Sequence, residues 1–160
     1  MLKILKLSIE NFIDCFDLLS ESEFDFINFN DLGWSKDQFK SQFHKENNFS
    51  LGLFNSGQLI ATIIGNVISV EKKSEYEILI LYVHNKFRKQ GCASFLLDAV
   101  SNFFNNIELN TIFLEVARNN TSAIKLYEKN NFTKKGTRKN YYRFNDVNID
   151  AIFYEKIINE

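Results

Sequence analysis

A chain of 160 residues, 45% of them hydrophobic and 17 of them phenylalanine, has enough apolar volume for one domain around one core, residues 1–160. The net charge of −1 excludes a broad nucleic-acid-binding surface, which needs a clustered excess of Lys and Arg, and a 24% charged fraction is ordinary for a globular protein. The longest apolar runs, such as 59–65 and 78–83, are far short of the roughly 20 residues a membrane-spanning helix requires, so no membrane partner is expected. The N-terminus lacks an apolar signal region, and Cys15 and Cys92 show neither CxxC spacing nor a disulfide framework. A cytoplasmic protein is expected, with Cys15 packed in the core.

From Ser8 to Ser20, apolar residues at Ile9, Phe12, Ile13, Phe16 and Leu19 repeat as on one face of a helix. Ser35-Lys36-Asp37-Gln38 reads as a capping box opening a second helix, with Phe39 and Phe43 on its apolar side. Both helices are expected to precede the sheet. Residues 49–54 and 59–69 read as strands joined at Asn55-Ser56-Gly57-Gln58, where Asn and Gly suit the positive φ of a hairpin turn. Glu71 to Ser74 reads as the next hairpin loop, leading to the apolar run at 78–83. Leu96, Leu97, Val100, Phe103 and Phe104 share one side of a helix, and residues 111–116 return as a buried strand. A strand, helix, strand crossover of this kind makes the two strands parallel, with their C-terminal ends on one edge of the sheet. Thr121 or Ser122 is expected to cap a short helix with Ala123, Ile124 and Tyr127 on one face, and strands close the chain around Tyr141 and at 149–157.

The chemistry concentrates between these parallel strands. Arg88, Lys89, Gln90, Gly91, Cys92, Ala93 and Ser94 join the first strand to the helix, whose leading N–H groups have no intrahelical partner and form a ready anion cradle. Small residues at Gly91 and Ala93 let the backbone approach a phosphate, although a glycine at a helix start can also be a plain strand-to-helix turn. Glu115 is an expensive residue for a buried strand, because desolvating a carboxylate costs several kcal/mol unless it is paired. It reads either as a functional base or as a strand-end partner of Arg118. Tyr127 reads as a proton donor or as a core ring. His44 reads as a surface residue and His84 as one that can face a substrate; neither has metal-ligand company, and no metal is expected.

Arg88-x-x-Gly91-x-Ala93 resembles the acetyl-CoA motif of the GCN5-related N-acetyltransferases (GNAT). Within that superfamily the chain looks most like the bacterial ribosomal-protein alanine acetyltransferases, the RimI type. That likeness rests on Trp34-Ser35, Leu114-Glu115-Val116 followed by Asn120, Ala123-Ile124-Lys125-Leu126-Tyr127-Glu128, Asn140-Tyr141-Tyr142 and Asp150-Ala151. The resemblance implies an α/β (α+β) GNAT fold: a mixed, mostly antiparallel sheet flanked by helices, with acetyl-CoA between two splayed parallel strands. It implies that the backbone of Leu81, Tyr82 and Val83 pairs with the pantetheine arm. By the same likeness, Lys89 to Ser94 would hold the pyrophosphate, Asn120 would bond the pantetheine, Glu115 would be the general base and Tyr127 the general acid. Trp34 and His84 are expected near the acceptor, and Tyr141 and Tyr142 read either as a wall of the peptide groove or as core rings.

The implied reaction is acetyl transfer from acetyl-CoA, as cosubstrate, to a protein N-terminal α-amine of a small-subunit ribosomal protein, by an enzyme working as a monomer or weak dimer. Acetylation of a small amine or a Lys, and a non-catalytic acyl-CoA-binding regulatory module, are the alternatives. An α-amine with pKa near 8 is roughly a tenth neutral at pH 7, whereas a Lys amine is neutral less than about one part in a thousand, a difference of about 3 kcal/mol that favours the N-terminus. Gly33 stands where the family has Pro before Trp-Ser, and Asn131 where Gly is common before Phe132; Asn tolerates the left-handed conformation that ends a helix.

Overall fold

The computed structural model describes residues 1–21, 34–70, 73–104, 109–144 and 146–158. Gly33 and the Glu71-Lys72 part of the expected loop lie outside these residues. Among those described, seven strands form one sheet in the order β1 (Leu2–Lys6), β2 (Asn48–Asn55), β3 (Gln58–Val70), β4 (Lys73–Val83), β5 (Leu109–Ala117), β7 (Val147–Ile157), β6 (Thr133–Phe144), with β4 and β5 parallel and every other neighbouring pair antiparallel. No helix among them is long and apolar enough to cross a membrane.

The helices do not precede the whole sheet. Leu2–Lys6 forms β1 and pairs antiparallel with β2 (Asn48–Asn55), from Leu2↔Asn55 to Lys6↔Leu51. This is a short and largely exposed edge strand, interrupted by Lys3 and Lys6, so it lacks the alternation that marks a half-buried strand. Ser8 caps a single 3-10 turn (Ile9–Asn11), and only then does α1 (Phe12–Ser20) begin. The tighter turn shifts the helical phase. The buried stripe is therefore Phe12, Cys15, Leu18 and Leu19, and Ile13, expected inward, is 54% exposed.

In α2 (Lys36–Phe43) the capping box forms as expected: Gln38 N–H donates to Ser35 Oγ at 3.1 Å, and Ser35 N–H donates to Gln38 Oε1 at 2.8 Å. The first hairpin turns at Ser56 (φ 49°) and Gly57 (φ 87°); Asn55 stays in the ladder opposite Gln58, so the positive angles fall one residue later than the Asn suggests. Strand β3 (Gln58–Val70) is longer than expected, and β4 (Lys73–Val83) already includes Lys73 and Ser74.

The crossover follows: α3 (Cys92–Phe103), then β5 (Leu109–Ala117). Phe103 closes the helix half-exposed, its ring 5.8 Å from Phe49 at the rim of the core, while Leu96, Leu97, Val100 and Phe104 are buried. The cap of α4 (Thr121–Lys129) is Asn120 and not Thr121 or Ser122, and Asn131 just beyond it adopts φ 66° as its side chain permits. Strand β6 (Thr133–Phe144) lies at the edge, and β7 (Val147–Ile157) inserts between it and β5. Helices α3 and α4 bury one face of the sheet, through residues such as Leu96, Val100 and Tyr127 on Ile63, Ile78 and Leu114. Helices α1 and α2 cover part of the other face, with Phe12, Cys15, Phe39 and Phe43 on Leu59, Ile64 and Ile80. Burial, reinforced by the Asp14 charge, pushes the Cys15 thiol up to about 12, as expected of a core cysteine.

Candidate active site

The parallel pair forks. β4 and β5 pair from Ser74↔Leu109 to Ile78↔Leu114 and no further, although β4 runs on to Val83 and β5 to Ala117. Each strand keeps its outer neighbour: β4 stays on β3 as far as Ala61↔Val83, and β5 stays on β7 as far as Ala117↔Ala151. The ladder between β3 and β4 shifts register from Gly65↔Ile78 to Ile64↔Ile80, so Leu79 is an extra, bulged residue. A bulge bends its strand and sharpens the twist. Here it falls at the row where the two parallel strands part. The β4–β5 ladder does not extend to residues 81–83, the position in which an extended chain can add as a strand.

At the mouth of the fork lies the turn into α3. Lys89 (φ 60°) and Gly91 (φ 84°) both take left-handed conformations, and Gly91 is the N-cap of the helix. A Cβ built on Gly91 would meet no atom within 4 Å, so the left-handed backbone, not a protein neighbour, calls for glycine there. The first intrahelical bond runs from Phe95 N–H to Gly91 O at 2.9 Å, which leaves the N–H groups of Cys92, Ala93 and Ser94 without helical acceptors. The Arg88 side chain folds back: its Nε donates to Val83 O at 2.8 Å and its guanidinium lies 5.3 Å from the Tyr82 ring centre. Gln90 Nε2 donates to Lys86 O at 2.9 Å. Arg88 and Gln90 thus brace the loop, and the backbone amides form the cradle. The residues present suit a diphosphate.

Glu115 sits on β5 one row above the last paired row, on the face away from α3 and α4, with its side chain 26% exposed. Its cation is Arg138, not Arg118. Arg138 reaches over from β6 to place Nη2 3.4 Å from Oε1 and Nη1 3.5 Å from Oε2, whereas Arg118 pairs with Asp150 at 3.2 Å. The register explains the exchange, because Ala117, Ala151 and Arg138 share one row across three strands, just above Glu115. Between Arg138↔Ala151 and Tyr142↔Ile149, β6 carries two residues more than β7; Asn140 takes φ 55° and its N–H donates to Asp150 Oδ1 at 3.1 Å. That insertion brings Tyr142 to Glu115, with Tyr141 beside it. The Tyr142 hydroxyl lies 3.5 Å from the Glu115 carbonyl oxygen, its ring meets Tyr141 edge-on at 5.0 Å, and Arg138 covers Tyr141 at 4.5 Å. Burial first, then the Glu115 charge, pushes the Tyr142 phenol up to about 12.

Tyr127, on α4, lies on the opposite face of the sheet, buried against Phe132 at 5.5 Å and Tyr154 at 6.5 Å. Burial, with Tyr142 as a lesser cause, raises its pKa and keeps the phenol protonated. Asn120 commits its side-chain oxygen to the Ala123 N–H at 3.2 Å, capping α4. His84 Nδ1 accepts from Lys86 N–H at 3.2 Å while Nε2 meets Glu21 at 2.5 Å, so the ring clasps the end of α1 to the end of β4. Trp34 packs on Phe39 at 6.0 Å within the α1 and α2 core, and His44 is an exposed C-cap residue of α2. The structure thus gathers Glu115, Tyr141 and Tyr142, and gives Trp34 and His84 packing and clasping contacts.

Two site groups escaped the sequence reading, Arg138 and Glu77. Glu77 interrupts an apolar strand just as Glu115 does, so the same desolvation argument would have found it. Nothing in the sequence around Arg138 marks it before the β6 register is known.

A parallel pair that forks above a glycine-opened helix N-terminus is the layout that the resemblance to the acetyl-CoA-dependent N-acetyltransferases leads one to expect. The acetyltransferase (GNAT) family model matches residues 12–132, and the chain belongs to that family. The [ribosomal protein bS18]-alanine N-acetyltransferase of Escherichia coli K12 is 29% identical over 119 residues, covering 74% of this chain and 77% of the relative. N-alpha-acetyltransferase 60 of Drosophila melanogaster is 36% identical over 85 residues, 51% of this chain but only 31% of the fly protein. Among solved structures, the E. coli ribosomal-protein-S18-alanine N-acetyltransferase superposes with a TM-score of 0.82 at 23% identity, over 100% of this chain and 96% of the other. Arabidopsis thaliana NAA60 in complex with acetyl-CoA gives 0.82 at 16%, over the whole of both chains. The fold and family implied by the motif are the ones found.

Proposed function

We propose that this enzyme transfers acetyl from acetyl-CoA to the N-terminal α-amine of a protein, and that the acceptor is a small-subunit ribosomal protein. The observation that supports this most directly is the fork, with Glu115 on one of its faces and Tyr127 on the other. The family's cosubstrate supplies an activated acyl carbon. Backbone groups of Leu81, Tyr82 and Val83 hold the pantetheine arm by strand addition, with Asn120 beside it, and the amides from Lys89 to Ser94 hold the diphosphate. Glu115, directly or through one water, takes the proton that the amine nitrogen loses as it bonds to the acyl carbon. Tyr127 donates its proton to the sulfur as the C–S bond breaks. Arg138 holds the Glu115 carboxylate in place, and Tyr141 and Tyr142 wall the acceptor side. An α-amine asks less of a single carboxylate base than a Lys amine does, by about 3 kcal/mol. The names of the relatives, one acting on a ribosomal-protein alanine and the other an N-alpha-acetyltransferase, agree with that choice.

The test compares acetylation of a peptide beginning with alanine against polyamines and an internal-Lys peptide, in wild type and in two variants. Glu115→Gln and Tyr127→Phe are each expected to lower turnover roughly 10²- to 10⁴-fold while acetyl-CoA binding stays near normal. Unchanged turnover in both variants removes the mechanism, and preference for a polyamine removes the acceptor class.

A further inference from the structure

Glu77 stands two rows below Glu115 at the root of the fork. It is opposite Phe113 in the parallel ladder, and Phe113 and Glu115 alternate onto the same face of β5. The last paired row, Ile78↔Leu114, points to the other face, where both residues join the α3 and α4 core. The crotch of the fork is therefore bracketed by two carboxylates on the face turned toward Tyr142 and Arg138. Their surroundings are unequal. Arg138 covers Glu115 with two long contacts. Glu77 has Asn66 opposite it on β3, itself drawn into an amide cluster in which Gln42 Nε2 donates to Asn66 Oδ1 at 2.6 Å, and the cation that opposes its burial is Lys45, an exposed residue after α2. Two partly desolvated carboxylates are thus served by one arginine and one surface lysine.

Glu77 costs the fold something. Burial first, and then the Glu115 charge, raise its pKa above the ordinary carboxylate value, with Lys45 opposing. A carboxylate placed where both burial and a like charge work against it is compensated by a cation brought from outside. An N-terminal amine arrives as such a cation, mostly as ammonium at neutral pH.

Building on the acetylation proposed above, we propose that Glu77 is a specificity-determining residue that binds the acceptor's primary ammonium beside Glu115, before Glu115 removes its proton. Glu77 then selects for a free, cationic amine and acts mainly on acceptor binding, while Glu115 acts on the proton transfer.

The experiment measures binding of a peptide beginning with alanine, and of the same peptide N-acetylated, to the CoA-loaded protein in wild type and Glu77→Gln. Acceptor KM and kcat are read alongside. Wild type is expected to prefer the free-amine peptide, and Glu77→Gln to lose roughly 3- to 10-fold of that affinity with no loss for the acetylated peptide. The acceptor KM rises by a similar factor, kcat changes less, and added salt narrows the gap between the two proteins. Equal affinity of wild type and Glu77→Gln for the free-amine peptide overturns the inference. Equal loss for both peptides also overturns it, because that is the signature of a structural defect. The binding arm needs no turnover: a wild-type protein that acetylates no peptide, yet shows a Glu77-dependent preference for the free amine, refutes the proposed reaction and leaves the ammonium site standing.

Discussion

The fork depends on a glycine outside it. Gly65 on β3 faces Ile78 across the ladder, beside the bulged Leu79, and the Tyr76 ring lies over it with its hydroxyl donating to Phe49 O at 2.7 Å. A Cβ added at Gly65 would lie 2.6 Å from both Cζ and Oη of Tyr76 and would also run into the Glu77 carbonyl oxygen. Tyr76 is fully buried, its ring hemmed in by Phe49 and Phe104 at centroid distances of 6.0 Å, so it cannot swing aside. Overpacking costs about 1 to 3 kcal/mol, and a collision with backbone as well as a buried ring puts Gly65→Ala at the upper end, about 3 kcal/mol. For a chain of this size each kcal/mol moves Tm by about 2 to 4 °C, so a loss of about 6 to 12 °C is expected by calorimetry. Tyr76→Leu in the Gly65→Ala background removes the ring contact but leaves the Glu77 carbonyl in the way, and so restores at most part of the loss. Because Glu77 and Ile78 form the root of the fork, turnover of Gly65→Ala falls even well below its Tm. A Gly65→Ala protein melting within about 1 °C of wild type refutes the reasoning.

Replacing Ser35 by Ala removes one half of the capping box that opens α2 and costs about 1 kcal/mol, read as a Tm lower by about 2 to 4 °C with activity retained. Cys15 is buried, and its thiol is pushed up to about 12; a thiol reagent at pH 8 therefore leaves Cys15 unlabelled in the native protein and labels it in guanidinium, as mass mapping reads directly. Glu77 gives a signed pH dependence. Its folded-state pKa is raised above the unfolded one, so its stability contribution is fully present below the unfolded value of roughly 4.3 and is lost as pH rises through the folded value. Glu77→Gln is accordingly expected to melt no lower than wild type at pH 7, with any advantage closing as pH falls toward 4; a variant that is less stable at pH 7 contradicts that sign.

The regular parts of this protein are legible in its sequence for simple reasons. Ser35 and Gln38 bond reciprocally because their spacing puts each side chain within reach of the other's N–H, and that geometry needs nothing from the rest of the fold. Gly91 and Asn131 likewise announce left-handed backbone locally. The strand, helix, strand pattern dictates parallel β4 and β5 by chain geometry alone. Whatever depends on register across several strands is hidden. In the sequence Arg118, three residues along the same chain, is a possible partner of Glu115; the insertion of β7 between β5 and β6 brings Arg138 into range and leaves Arg118 to Asp150. The Asn120 side-chain oxygen also closes the helix that carries Tyr127, a local capping role that the neighbouring Thr121 and Ser122 mask in the sequence.

The candidate site lies where the hydrogen-bonding ladders fail. A regular parallel pair would zip to the ends of both strands and leave no backbone free for an extended ligand. Here Leu79 bulges where β4 and β5 part, and β6 gains two residues beside Asp150 at the row that carries Arg138. The first irregularity parts β4 from β5; the second sets Arg138 on the Glu115 carboxylate and Tyr142 beside its backbone carbonyl, with Tyr141 packed against both. Neither works alone, since a fork without the β6 insertion would leave Glu115 without its cation and its aromatic wall, and an insertion without the fork would crowd those groups over a closed sheet. Asp150 couples them, accepting from Asn140 N–H and from Arg118 at once, which ties the β6 insertion to the end of β5. Loss of Asp150 should therefore loosen the acceptor wall while leaving the diphosphate cradle, whose Gly91 precedes Glu115 by 24 residues and which β4 and α3 carry, as it was.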